Sequence, residues 1–303
     1  MKRIWIMMTM LLSFQLSVFA MQITDQKGEI ITFEKPYKRI ISLYPAHAEL
    51  ISDLGGKNLL IGVSHDESLF KRYEGIKIFT YHDNTEKFIA AKPDLILIRP
   101  MIEKKFKGLV RILRETGIQV VSLQPSTYKE LPEYWSKIGK LIGREDASKE
   151  YINTFNQGVE KITNISKRIP KQNREKIFFE TRHKNFLTSA PGTMPYTIIN
   201  TIGAINIASD AKPLRKGSTV APYKLEKILS KADEIDIFVA QKGVMNRISV
   251  EDIYKTPGFS AIKAIQNKQV YIIPEDIVSR PTKRLVEGMQ RLGEIVYPKY
   301  FIK

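Results

Sequence analysis

The feature that most constrains the fold of this chain is the alternation of short apolar runs with longer amphipathic stretches. This pattern is typical of α/β folds, in which mostly parallel strands are joined by helices. In the N-terminal half it predicts strands over 40–43, 59–63, 76–79, 95–98 and 120–123. It predicts helices over 46–54, 85–91 and 104–116, with Gly55, Gly56 and Gly117 placed where such helices end.

The C-terminal half repeats the pattern, with strands predicted over 176–180, 205–208, 237–240 and 270–273 and helices over 196–202, 225–230 and 282–296. TEKFIAAKPDLILI (85–98) matches LEKILSKADEIDIFVA (225–240) in the order of its polar and apolar residues. A looser match links 51–64 with 198–210. Because both matches are separated by roughly 140 residues, they indicate a domain-scale duplication rather than a short repeat.

Between the halves, residues 145–170 show no strand pattern. Their apolar residues recur at intervals of three and four up to Pro170, which predicts one amphipathic helix over this range. The sequence therefore predicts an α/β protein in which an N-terminal lobe (21–144) and a C-terminal lobe (171–303) have mostly parallel sheets and are joined by this single long helix.

The first twenty residues have the layout of a secretory signal peptide. Lys2 and Arg3 precede an apolar run over 4–19, and small residues at Val18 and Ala20 frame a cleavage site. A membrane anchor is the alternative, but the run is short and contains polar residues. With no cysteine in the chain to carry a lipid or a disulfide, we expect a protein exported to a bacterial periplasm.

The formal net charge is +16, and removal of Lys2 and Arg3 with the signal peptide leaves +14. Such a balance suggests an anionic ligand, an anionic surface or nucleic acid as a partner. Export argues against nucleic acid. Lysines spread over helices also keep a protein soluble, so charge alone decides little.

Six segments, in order, carry a resemblance to a known family: RIISLYPAHAEL (39–50), GGKNLLIGVS (55–64), TEKFIAAKPDLIL (85–97), IINTIGAINIASD (198–210), KLEKIL (224–229) and the run from GFSAIKAIQ to EIVYP (258–298). The sequence resembles the class III substrate-binding proteins of bacterial ABC importers for metal chelates, namely ferric siderophores, haem and cobalamin. The resemblance implies two Rossmann-like lobes, a ligand cleft between them, and delivery to a permease dimer in the inner membrane without chemical turnover. We expect a monomer that has no cofactor of its own.

The resemblance also implies two docking residues. Family members place one glutamate on the outer surface of each lobe to meet arginines of the permease, and by motif these are Glu86 and Glu226 here. Each also lies in a predicted first helical turn, where a negative charge is favoured by the helix dipole in any protein.

Candidate ligand-binding residues follow from a rule of open α/β sheets, in which ligands bind beyond the carboxyl ends of the strands. The residues that follow the predicted strands include all four histidines, although His47 fits a buried helical position equally well. The candidates are Tyr44, His65, Tyr81, His82, Arg99, Arg182, His183, Lys242 and Arg280. Solvated strand ends, turns and caps are the structural alternatives for each of them.

The basic residues in this set favour an anionic ferric chelate, because the planar guanidinium of arginine matches carboxylate and catecholate oxygens. Haem is the second expectation, with a tyrosine or histidine on iron. Near-neutral cobalamin is the third, because only Tyr44 and Tyr81 offer aromatic walls and Trp135 is predicted in a helix away from the cleft. A metal–histidine complex or an oxyanion such as molybdate stays open.

Two other function classes are weaker. A hydrolase requires a nucleophile and a base, and APGTMP (190–195) is not a nucleophile elbow. No zinc signature occurs, so we predict neither catalytic residues nor a resident metal site. A basic interaction protein would instead show exposed basic stripes and salt-sensitive, weakly selective binding.

Overall fold

The structure, a computed structural model, describes residues 20–66 and 71–302. The predicted signal peptide, residues 1–20, lies outside the described residues except for Ala20. In the part that the structure covers, no helix is long and apolar enough to cross a membrane. The first element is an antiparallel hairpin of β1 (Met21–Thr24) and β2 (Ile30–Phe33).

The N-terminal lobe is built on a parallel sheet of five strands. Apart from Ile61 and the exposed edge strand β5, their apolar side chains are buried on both faces, as expected of parallel strands covered by helices. The strands are β3 (Ile40–Ser42), β4 (Leu60–Val63), β5 (Lys77–Ile78), β6 (Leu95–Ile98) and β7 (Gln119–Ser122), in the order β5–β4–β3–β6–β7. The helices are α1 (Pro45–Asp53), α2 (Thr85–Ala91), α3 (Pro100–Lys105), α4 (Lys107–Glu115) and α5 (Leu131–Leu141).

The C-terminal lobe follows helix α6 (Glu145–Ser166) and contains a mixed sheet. Its strands are β8 (Lys176–Arg182), β9 (Leu187–Ser189), β10 (Ile205–Asn206), β11 (Val220–Pro222), β12 (Ile237–Lys242) and β13 (Val270–Pro274). The sheet order is β11–β9–β8–β12–β13, and β10 pairs with the start of β8. The helices are α7 (Met194–Thr201), α8 (Leu225–Leu229), α9 (Val250–Tyr254), α10 (Lys263–Gln266), α11 (Glu275–Val278), α12 (Leu285–Val296) and α13 (Pro298–Phe301).

The duplicated segments occupy equivalent places in the two sheets. Helix α2 leads to β6, which pairs in parallel with β3, the first strand of its sheet. Helix α8 leads to β12, which pairs in parallel with β8, the first strand of the other sheet. The looser match is equivalent too, because β4 pairs with β3 and β10 pairs with β8. The topology therefore agrees with the duplication that the sequence predicts.

Two predicted helices differ from those observed, and two strands of the C-terminal sheet were not predicted. The helix predicted over 104–116 is two helices, α3 and α4, because Phe106 leaves the helical conformation with φ −117° and ψ 44°. The helix predicted over 282–296 begins only at Leu285. The antiparallel strands β9 and β11 were not predicted, because each has only three residues, too few to show an alternating pattern.

Helix α6 joins the lobes and packs against both. Its buried residues Phe155 and Ile162 belong to an apolar core that also contains Trp135 of α5 and Met289 of α12. Helices α6 and α12 approach closely at Gly158, where an added Cβ would lie 2.9 Å from a methyl carbon of Val286. The linking helix is thus part of a continuous core rather than a loose tether.

We predict that Gly158→Ala will not give the stabilisation that alanine normally gives in a helix. The added methyl must displace Val286, a stiff β-branched side chain, and overpacking of this kind costs about 1–3 kcal/mol. The matched control is Gly108→Ala in α4, where a Cβ meets no atom within 4 Å. It should gain about 0.5–1 kcal/mol. Urea unfolding of both variants checks this, and equal stabilisation by the two would contradict the close packing at Gly158.

Candidate functional site

The carboxyl ends of the two sheets face each other, and proline fixes the backbone at three of the positions involved. Tyr44, Arg99 and Arg280 each precede a proline. Proline disfavours the helical conformation of the residue before it. Tyr44 and Arg99 are accordingly extended, with φ −142° and −115°, and the prolines that follow them open helices α1 and α3. The guanidinium carbon of Arg99 lies 5.1 Å from the ring centre of Tyr44, in a cation–π contact.

The C-terminal lobe supplies the facing wall. Arg182 ends β8, Lys242 ends β12, and Glu275 follows β13. The Glu275 side chain folds over Gly243, where any Cβ would collide with its carboxylate. Arg280, Arg99 and Arg182 all act on this carboxylate through their charges, so arginines of both lobes surround one acid.

Arg99 and Arg182 differ from Arg280 in the hydrogen bonds and ion pairs of their side chains. Both side chains are half-buried, and neither guanidinium makes a hydrogen bond or an ion pair with another described residue. Lys242 is exposed and likewise has no ion pair within the described ranges. These cationic groups are therefore available to a ligand that carries acceptor oxygens.

Arg280 instead bridges the lobes. Its guanidinium donates to Oε2 of Glu49 at 3.2 Å and to Oδ2 of Asp66 at 2.6 Å. Glu49 is fully buried in α1 and also accepts a hydrogen bond from the Thr282 hydroxyl at 3.0 Å. Burial raises the pKa of Glu49, and the charges of Arg280 and Arg284 oppose this shift.

The backbone around Arg280 is anchored to the N-terminal half and to α6. The indole of Trp135 donates to the carbonyl of Pro281 at 2.9 Å, and the amide of Lys283 donates to the Tyr151 hydroxyl at 2.6 Å. Trp135 lies in a helix as predicted, but it binds the residue next to Arg280 and is therefore closer to the strand ends than predicted.

His183 is held by the protein on both ring nitrogens. Nδ1 donates to the buried carboxylate of Glu180 at 2.9 Å, and Nε2 lies 3.0 Å from the Thr256 hydroxyl. That hydroxyl donates to the carbonyl of Asp252, so it accepts from Nε2. The hydrogen bond to Glu180 is the main cause that raises the pKa of His183.

His47 and Tyr44 lie side by side at the start of α1, with ring centres 5.1 Å apart. His47 is fully buried and donates from Nε2 to the carbonyl of Leu123 at 2.9 Å. Burial lowers the pKa of His47 to about 4, so the ring is neutral near pH 7. Burial also raises the pKa of Tyr44, which keeps its phenol protonated. The buried alternative for His47 is the correct one.

The remaining candidates lie in two other places. Tyr81 and His82 form a cluster with Phe106, with ring centres 4.6–5.1 Å apart. In the part of the chain that the structure describes, this aromatic cluster (Tyr81, His82, Phe106) makes no hydrogen bond or cation–π contact with the arginines. His65 is exposed and adjoins Asp66, the partner of Arg280.

Glu86 and Glu226 occupy equivalent first-turn positions in α2 and α8. Both side chains are exposed, and neither forms an ion pair with another described residue. The duplicated topology therefore presents one unpaired acid on each lobe.

Glu275 and Glu49 are not among the predicted site residues; the sequence places Glu275 and Asp276 at a strand end, where they fit a turn. Glu275 directly follows β13, so the strand-end rule that selected the other candidates would have found it. Glu49 had a weaker signal, since a charged residue between apolar neighbours in α1 is also common on a half-exposed helix. Its burial depends on Arg280, which is 231 residues away in the sequence.

Comparison with known proteins gives a consistent result. A family model described as periplasmic binding protein matches residues 40–277. The uncharacterized ABC transporter substrate-binding lipoprotein YvrC of Bacillus subtilis is 26% identical over 287 residues, covering 94% of this chain and 88% of YvrC. The vitamin B12-binding protein of Vibrio cholerae is 23% identical over 263 residues, covering 85% of this chain and 88% of that protein.

Among solved structures, a possible iron-binding periplasmic solute-binding protein from Staphylococcus epidermidis is similar in both sequence and fold. The TM-score is 0.74 at 29% identity, and the match covers 87% of this chain and 100% of that chain. The relatives named here are described as substrate-binding, vitamin-binding or solute-binding proteins.

Proposed function

The chain belongs to the periplasmic binding protein family, as a substrate-binding protein of ABC import for metal chelates or cobalamin, and we propose that its own ligand is an anionic ferric chelate. Family membership implies a small-molecule ligand and a permease partner. The predicted signal peptide supports a periplasmic location.

The observation that carries this proposal is the charge balance at the strand ends. Arg280 is committed to Glu49 and Asp66. That leaves Arg99 and Arg182, whose charges act on Glu275, without an ion pair to another described residue. Arginines that have no direct acceptor strongly favour a ligand with several anionic oxygens, because charge-assisted hydrogen bonds are about twice as strong as neutral ones. Ferric catecholates and ferric citrate present such oxygens.

Within this proposal the predicted residues take different roles. Arg99 and Arg182 bind the chelate from opposite lobes, Tyr44 supports Arg99, and Lys242 adds charge at the rim. Arg280 holds the lobes together beside the ligand, and His183 fixes the loop that carries Arg182. His65 lies at the edge of the site.

Cobalamin is the second candidate. The aromatic cluster (Tyr81, His82, Phe106) offers a partly exposed apolar wall, which suits a large ligand of little net charge. Several vitamin B12-binding proteins are also among the relatives of this chain. A cobalamin site would depend on these rings and little on the two arginines.

We predict that Arg99→Ala and Arg182→Ala each weaken binding of a ferric tris-catecholate by about 10–100-fold, since hydrogen bonds to charged groups contribute about 1.5–3 kcal/mol. Thermal unfolding with ferric tris-catecholate, ferric citrate, haem, cobalamin and molybdate measures this. The wild type at a hundred times its dissociation constant should gain about 2.7 kcal/mol.

Arg111→Ala is the matched control, because Arg111 is exposed and pairs with Glu115 one turn along α4. Its binding should equal that of the wild type. A response to cobalamin alone, unaffected by either arginine change, would replace the chelate with the second candidate. Equal, salt-sensitive responses to every anion would contradict a selective site.

Glu86 and Glu226 are proposed to dock the protein onto a permease dimer. An exposed acid pair contributes little to stability but steers association with a basic partner. We predict that Glu86→Ala with Glu226→Ala preserves chelate binding and abolishes uptake of ⁵⁵Fe-labelled chelate by cells that depend on this protein.

A matched control changes Glu133 and Glu251, which are exposed acids in the first turns of α5 and α9. This control pair should retain uptake. If cells carrying the Glu86 and Glu226 changes still import the chelate at the wild-type rate, the docking assignment is wrong.

A further inference from the structure

Among the described residues, Asp25, Glu103, Glu180 and Glu275 each have a buried carboxylate oxygen without a hydrogen-bond partner. Glu275 differs from the other three because its second oxygen accepts no hydrogen bond from a described residue either. It begins α11 directly after β13, and Gly243 leaves the space that its side chain fills. Its Oε2 atom is buried and has no hydrogen-bond partner among the described residues. A buried carboxylate oxygen without a hydrogen-bond partner destabilises the folded protein, which points to a functional reason for Glu275 at this position.

The groups that face Glu275 come from both lobes. Arg280, Arg99 and Arg182 attract its negative charge, and Asp276 repels it. Tyr44, whose pKa Glu275 raises, faces it as well. Burial is the largest influence and raises the pKa of Glu275, while the three arginines oppose this rise. The arginines therefore favour the ionised form of Glu275 as long as no other anion neutralises their charges.

A bound anion changes that condition. Oxygens of a chelate that accept hydrogen bonds from Arg99 and Arg182 neutralise the charges that favour ionised Glu275. The chelate also adds negative charge nearby, which disfavours a second anion in the same site. Both effects favour the protonated carboxyl.

We propose that Glu275 is an internal counter-ion for the arginines of the empty site, and that capture of an anionic chelate is coupled to uptake of one proton by this carboxyl. This inference rests on the proposed function, because it requires an anionic ligand at Arg99 and Arg182. It assigns to Glu275 a role in selectivity, since a neutral ligand does not compensate the arginines and takes up no proton.

The direction of the pH dependence follows from linkage. Ligand binding raises the pKa of Glu275 above its value in the free protein, so the complex holds more protons at intermediate pH. Affinity is constant below the pKa of the free protein and falls as pH rises through the interval up to the pKa of the complex. Within this interval the dissociation constant increases by up to tenfold per pH unit.

Isothermal titration calorimetry with ferric tris-catecholate tests the coupling, at pH 5 to 8 and in buffers of different ionisation enthalpy. Glu275→Gln keeps the shape of the side chain and removes its proton site. Subtracting the proton uptake of Glu275→Gln from that of the wild type also removes the contribution of proton exchange by the chelate itself. Glu160→Gln, at an exposed position of α6, is the matched charge control.

For each chelate bound, the wild type and Glu160→Gln should each take up more protons than Glu275→Gln does, and the difference should be as much as one proton. The Glu275→Gln variant should bind at least as tightly as the wild type at pH 8. Glu275→Asp, which retains a carboxyl, should retain proton uptake, and it provides the comparison if the glutamine variant does not fold.

Two results overturn the inference while leaving the proposed function in place. One is binding by the wild type with the same proton count as Glu275→Gln. The other is loss of binding in a folded Glu275→Gln variant, which would make Glu275 a direct ligand contact. Absence of chelate binding by the wild type overturns the proposed function and this inference together.

Discussion

Arg280 reaches from the C-terminal lobe to Glu49 and Asp66 of the N-terminal lobe, and the strand-end region is arranged around this contact. Glu49 is fully buried, so its charge requires a close cation. Removal of one partner from such a pair typically costs about 3–5 kcal/mol. The hydrogen bonds of Pro281 and Lys283 to Trp135 and Tyr151 hold the same segment in place. Arg280 is thus a poor choice for probing ligand contacts, because its replacement disturbs the lobe contact as well.

This contact has a consequence for the binding site. Since Arg280 is occupied by acids, the ligand site that we propose is defined by Arg99 on one side and Arg182 on the other. The cation–π contact with Tyr44 orients Arg99, and the hydrogen bonds of His183 to Glu180 and Thr256 fix the loop after Arg182. A preformed site of this kind loses less conformational entropy when it binds a ligand.

The sequence was most informative where local signals determine structure. Helix α2 and strand β6 were predicted with their observed bounds, because Asn84 caps the helix and LILI (95–98) is continuously apolar. The strand-end rule correctly brought Tyr44, Arg99, Arg182 and Arg280 to one region of the molecule, since it depends only on topology.

The bonding of these residues could not be predicted from the sequence. Arg280 and Arg182 look alike as residues near strand ends, and only tertiary contacts show that one is paired with acids. The same holds for His183, whose ring reaches Thr256, 73 residues away in the sequence. The kink at Phe106 was missed because apolar periodicity continues through it, whereas its ring packs outside the helix against Tyr81 and His82.

The central claim is that arginines of both lobes hold an anionic chelate between the carboxyl ends of the two sheets. A crystal structure of the protein with a ferric tris-catecholate tests it most directly. The account predicts one chelate per chain, with catecholate oxygens within hydrogen-bond distance of both Arg99 and Arg182. A chelate bound elsewhere, or held by surface lysines with both arginines unengaged, would contradict it.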